Sequence, residues 1–157
     1  MSTTRFADAV TALLAAYNAA AGLAGVPVYD GAQPSGAADT DFIIVGHDGT
    51  IAADGTLEAT ALAGTYLQQW ADLTTGRDET GSVNCLIVSQ TGDASDITGR
   101  RARVKVLLAA AEDAAAAAVV SHLTFDGSSD GRFIYRQSAG GVVVMCAYRV
   151  SYSAPWN

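Results

Sequence analysis

"RDETGSVNCLIVSQTGD", residues 77–93, decides the fold. Its middle, "SVNCLIVSQ" (82–90), is an apolar, β-branched run with turn residues on either side, the pattern of a strand buried inside a sheet. The stretch before it, "TYLQQWADL" (65–73), alternates instead. Tyr66, Gln68 and Trp70 share one side, and Leu67, Gln69 and Ala71 the other. Joined through "TTGRDETG", the two read as an antiparallel pair, with Trp70 expected to pack against a helix or a neighbouring strand. The charged triplet Arg77-Asp78-Glu79 stands at the junction, in a chain that is only 16% charged. Catalysis, a polar hairpin loop and contact with a neighbouring subunit are all open readings of it.

Outward from this pair, "FIIVG" (42–46) is a second central strand, and "VPVYDG" (26–31), with Pro27 near its start, is a short edge strand. Phe6, Val10, Leu13, Leu14, Tyr17 and Ala21 repeat as one helical face, with Thr3 or Thr4 as cap, Asp8 in the first turn and Gly22 and Gly25 at the end. "HDGTIAADGTLEATALAG" (47–64) has no sustained period and is expected to be a mobile excursion that orders on assembly. Downstream, Ser95 or Asp96 opens a second helix whose apolar face is Val104, Leu107, Leu108, Ala111, Ala115 and Ala118. "FDGSSDG" (125–131) reads as a turn. "RFIYRQ" (132–137) and "VVVMCAYRVSY" (142–152) close a hairpin through "SAGG", with Val144, Cys146, Tyr148, Val150 and Tyr152 facing one way. The order is α-β-β-β-β-α-β-β in a single domain, 1–157. It predicts an α+β fold: an antiparallel or mixed β-sheet with two α-helices packed on one face.

The 157 residues are 50% hydrophobic but only 8% aromatic, so alanine does much of the filling. Sixteen acids against nine bases give a net charge of −7, which argues against a general nucleic-acid binder. Cys85 and Cys146 lie far apart inside strand-like runs and read as reduced, buried thiols. Residues 9–29 carry no charge, yet the helical part falls short of the roughly 20 residues a span requires, so no membrane segment is expected.

Chemistry-bearing motifs are sparse. His47-Asp48 in "GHDG" lacks third and fourth ligands at recognisable spacing and reads as a strand end followed by a turn. "DGSSDG" (126–131) lacks the alternating acids and terminal Glu of a calcium loop. There is no nucleophile elbow, Walker loop or dinucleotide fingerprint, so no catalytic residue, metal or cofactor is assigned. "GRRARVK" (99–105) places Arg100, Arg101, Arg103 and Lys105 at the start of the second helix, where the dipole disfavours cations by roughly 0.3–1 kcal/mol each. A phosphate site, a solvated helix face and an inter-subunit salt-bridge surface all fit it.

The succession "VPVYDG", "DFIIVGHDG", "QQWADLTTGRDETGSVNCLIVSQTGD", an Ala-rich helix and "VVVMCAYRVSYSA" resembles tail terminator (tail-completion) proteins of long-tailed bacteriophages, especially those of actinobacterial hosts. Trp70, Arg77, Asp78, Glu79 and Asp93 are the most specific carriers. The resemblance implies a non-enzymatic subunit of a hexameric ring in the virion tail and neck, assembled in the host cytoplasm. That ring ends tail-tube polymerisation and joins tail to neck. Its partners would be further copies, the tube protein and a neck or head-completion protein, with DNA passing through the ring without specific binding. Under it, Arg77, Asp78 and Glu79 become a hairpin loop in ring or neck contacts, and Arg100, Arg101 and Arg103 are expected to meet Asp78 and Glu79 of an adjacent subunit. The competing readings are another neck or tail structural protein and, more distantly, a small cytoplasmic enzyme or ligand-binding domain.

Overall fold

In the computed structural model, residues 4–32, 39–70 and 76–155 are described. Helix α1 (Phe6–Ala19) and a short 3-10 turn (Ala21–Leu23) lead into strands β1 (Val28–Asp30), β2 (Asp41–Val45), β3 (Gly64–Trp70) and β4 (Arg77–Thr91). Helix α2 (Ile97–Ala117) and the long strands β5 (Thr124–Ser138) and β6 (Gly141–Pro155) follow. This is the α+β order read from the sequence. Residues Thr3 and Ala71, and most of the 32–41 loop, lie outside the described residues.

The fifteen-residue β4 organises the sheet. One of its edges pairs along its whole length with β6, from Asp78↔Pro155 to Thr91↔Val142. The other edge is divided: β2 pairs with its second half (Val45↔Cys85) and β3 with its first (Gly64↔Val83). The six-stranded sheet therefore runs β1-β2-β4-β6-β5, with β3 branching from β4. The β1–β2 pair is parallel and every other pair antiparallel, so the sheet is mixed.

Side-chain alternation splits the interior into two layers. Ile43, Val45, Val83, Cys85, Ile87, Val144, Cys146 and Tyr148 face α1 and α2, which cover them with Ala9, Leu13, Tyr17, Val104, Leu107 and Ala111. Both helices thus pack on one face. Gly22 makes the close helix contact that an alanine-rich interface allows, since a Cβ there would lie 3.0 Å from that of Ala110. The opposite face buries Phe42, Ile44, Leu86, Val88, Met145 and Ala147 under Tyr29, Leu57 and Ile134.

Leu57 belongs to the segment 47–64, expected to be mobile in the free subunit and to order on assembly; in the structure its Leu57 packs onto this second face and its last residue, Gly64, opens β3. Gly46 (φ 95°) turns the chain out of β2, and the amides of Gly46 and His47 both donate to the Asn84 carbonyl. His47 is buried. It accepts from the Gly49 amide at Nδ1 (2.9 Å) and meets the Glu58 carbonyl at Nε2 (2.9 Å), which fixes the Nε2–H tautomer. Ile51 and Leu57 form an antiparallel bridge, and Arg132 and Arg136 donate to the carbonyls of Asp48 and Gly55. Absence of a hydrophobic period here reflects a segment pinned by one histidine and main-chain bonds, with few apolar anchors. "FDGSSDG" is likewise not a turn. It is the start of β5, paired to β6 through two register shifts, with Gly127 and Asp130 at positive φ.

Candidate functional site

The triplet 77–79 lies in β4, not in a loop, because the β3–β4 ladder extends to Trp70↔Arg77. Alternation then sends its members to different faces. Glu79 points to the helix side and is fully buried. Its Oε1 accepts from Thr4 Oγ1 (2.9 Å), the Arg5 amide (2.9 Å) and Tyr152 Oη (2.7 Å), and its Oε2 accepts from Gln68 Nε2 (2.8 Å). Burial alone would raise its pKa. The hydrogen bonds from Gln68, Tyr152, Arg5 and Thr4 outweigh it and hold the carboxyl below its ordinary value. Arg5 caps α1 and makes no side-chain capping bond, so Glu79 supplies the anion at that helix N-terminus from the sheet. Gly81 makes room: a Cβ there would lie 2.6 Å from both the Thr65 carbonyl and Tyr152 Oη.

Glu79 is therefore an internal anchor of the protomer, and the reading that set it on a contact loop is corrected. Arg77 and Asp78 are exposed. The Arg77 guanidinium lies 4.4 Å from the centre of the Trp70 ring. Trp70 itself is 69% exposed, so it does not pack into the core as expected. At the end of β3, the contact that covers it among the described residues is its cross-strand arginine.

The basic start of α2 also resolves within the chain. Asp96 caps the helix, accepting from the Gly99 amide at 3.2 Å, and meets Arg100 Nε at 3.3 Å. Asp41 on β2 accepts from Arg103 Nε (2.8 Å) and Ser89 Oγ (2.5 Å), with Arg100 Nη1 at 3.8 Å. The dipole conflict at residues 100–103 is thus relieved by Asp41 and Asp96 of the same protomer, without an adjacent subunit. Arg101 differs. It is exposed and points along β5, its guanidinium 6.0 Å from the Tyr135 ring. Asp41 was the unseen partner, and its place at the head of "DFIIVG" was the available signal.

Tyr17 and Tyr148 hydroxyls share a buried hydrogen bond of 3.0 Å, and burial pushes the neighbouring Cys85 thiol up to about 12, an unreactive state. A shallow groove of about 440 Å³ runs past Asp48, Asn84, Arg132 and Arg149 on the second face. Among the described residues no group of three or more His, Cys, Asp or Glu is placed to hold a metal, and no helix is long and apolar enough to cross a membrane.

Besides Ile51, Leu62, Val106 and Val119, the exposed large apolar side chains among the described residues fall in two places. The β3–β4 arm presents Tyr66 (51%), Leu67 (57%) and Trp70. The β5 edge presents Phe133 (47%) and Tyr135 (45%), in edge-to-face contact with ring centres 6.3 Å apart. Arg101 of α2 is exposed beside Tyr135. These two patches, on opposite margins of the sheet, are the candidate interaction surfaces.

No family model matches the chain, and no curated protein matches it. Among solved structures, a chain of the virion of a native gene transfer agent particle shares the fold. Its TM-score is 0.52 at 20% sequence identity, and the match covers 94% of this chain and 93% of that one. At that identity the likeness is one of fold.

Proposed function

We propose that the chain is a structural, non-enzymatic component of a phage-type virion, and within that class a tail terminator. In this reading copies of it close a ring on the head-proximal end of the tail tube, end tube growth and join the tube to the neck. The observation that carries the reading is the end-to-end fold likeness to a chain of a gene transfer agent virion. The order of sequence motifs from "VPVYDG" to "VVVMCAYRVSYSA" points the same way. Six copies and the tube and neck proteins as partners come from the family resemblance, as does assembly in the host cytoplasm. Arg77, Asp78 and Arg101, all exposed, are the charged residues we place at contacts with neighbours. Glu79, Arg100 and Arg103 support those surfaces from within the protomer.

Purified chain is added to tail-tube protein from the same particle, and tube length is followed by electron microscopy while native mass spectrometry gives the copy number. A ring that caps tubes and arrests their growth supports the proposal. Rings that bind a head or neck component and ignore tubes indicate a neck role. A monomer without effect on either overturns both.

A further inference from the structure

We infer that copies of the chain join edge to edge, β3 of one copy adding antiparallel to the straight half of β5 (residues 132–138) of the next. The inference rests on the ring reading and names its contact. Two strands form the margins concerned. β5 pairs with β6 on one side only, and beyond its two register shifts it runs unbroken from Arg132↔Ala147 to Ser138↔Gly141. β3 pairs only with β4, and no other strand among the described residues lies against it. Exposed strand edges are normally blunted by charges, proline or bulges. The seven residues of β3, "GTYLQQW", contain no charge and no proline, and the ladder to β4 is regular.

Direction and face both match. β3 and β5 run in opposite senses within one protomer, so a head-to-tail repeat of the sheet sets β3 of one copy antiparallel to β5 of the next. A sheet that continues between copies keeps its two faces distinct. Tyr66 and Trp70 share the helix face with Phe133 and Tyr135, which brings exposed aromatics to exposed aromatics. On the other face Leu67 and Asp78 come toward Ile134, Arg132 and Arg136. Charge selects a second copy as the occupant. On the face away from the helices the straight half of β5 carries Arg132 and Arg136, on a chain of net charge −7, and the entering arm brings Asp78 to that same face while its Arg77 stays over Trp70 on the helix face. β3 and the straight half of β5 pair with opposite ends of the central strands, so successive copies step along the strand direction. In a closed ring the strands are accordingly inclined to the axis.

The test is made on the full chain. The double substitution Tyr66→Lys with Trp70→Lys blunts the edge at two exposed positions. Retention of far-ultraviolet circular dichroism and melting temperature would show that the protomer is intact. The expected result is a high-mass species from the wild type by native mass spectrometry and its loss in the double variant. In parallel, copies carrying both Tyr66→Cys and Tyr135→Cys are treated with a short bismaleimide, Cys85 and Cys146 being buried. A ladder of linked copies is expected from the double variant, and none from either single variant. Wild-type-sized oligomers from the blunted variant, or dimers from a single-cysteine variant, would overturn the edge contact and leave the ring reading standing. A wild type that stays monomeric, alone and with tubes, overturns both.

Discussion

The carboxylate of Glu79 ties three distant pieces of chain together: the start of α1, the end of β6 and the β3–β4 arm. Hydrogen bonds to a charged group contribute roughly 1.5–3 kcal/mol, and removing one partner strands the rest. Glu79→Gln should therefore cost about 2 kcal/mol in denaturant unfolding at neutral pH, with protection lost first at the N-terminal turn of α1 in hydrogen exchange. The pH dependence has a definite sign. The folded-state pKa of Glu79 is depressed, so its contribution is present above the unfolded value and is lost as pH falls through the folded one. Stability of the wild type should decline on acidification below the ordinary Glu range, and Glu79→Gln should flatten that decline. An equally steep decline in the variant would refute the role. Trp70 is the opposite case. At 69% exposure with a surface cation–π contact, Trp70→Ala should change stability by less than about 1 kcal/mol, far below the 3–5 kcal/mol of a buried aromatic. A larger loss would place the ring in the core after all.

At the level of elements, periodic segments were legible and anchored ones were not. The helical repeat through Leu13 and Tyr17 and the doubly apolar runs of β2 and β4 declare themselves, because burial of a whole face imposes a period. Glycine and aspartate misled at 125–131, where positive-φ residues serve bulges within a strand as readily as they serve turns. The placement of the charged residues was the least visible part. Which strand end supplies Asp41 to Arg103, or brings Glu79 to the Arg5 amide, is set by long-range register that no local pattern carries. The segment 47–63 hid for a related reason: its order hangs on His47. Substituting His47→Ala removes both ring bonds and opens a cavity against Gly49 and Glu58. The expected loss is about 2–3 kcal/mol. Exchange should quicken across Gly49–Glu58, while the β4–β6 ladder stays protected. Unchanged exchange there would mean that the arginine contacts from β5 hold the segment without the histidine.

For the whole molecule the deciding quantity is net charge. Each copy carries −7, and scaling of size with length puts neighbouring centres roughly 40 Å apart. In water, two such charges repel by about 5 kcal/mol before screening. At 0.01 M salt the Debye length of about 30 Å leaves on the order of 1 kcal/mol, and at 0.15 M, with about 8 Å, almost nothing. Against this, an exposed pair such as Asp78 with an arginine of the next copy is worth only about 0–1 kcal/mol and is screened as well. Affinity between copies must then come from the apolar side chains of β3 and β5, which salt does not weaken. Self-association should accordingly strengthen by about fivefold per contact between 0.01 M and 0.15 M salt, measured by sedimentation velocity. It should change little above that range, where repulsion is already screened. Association that weakens steadily with salt would show instead that ion pairs dominate the contact, and would return Asp78 and the arginines to the centre of it.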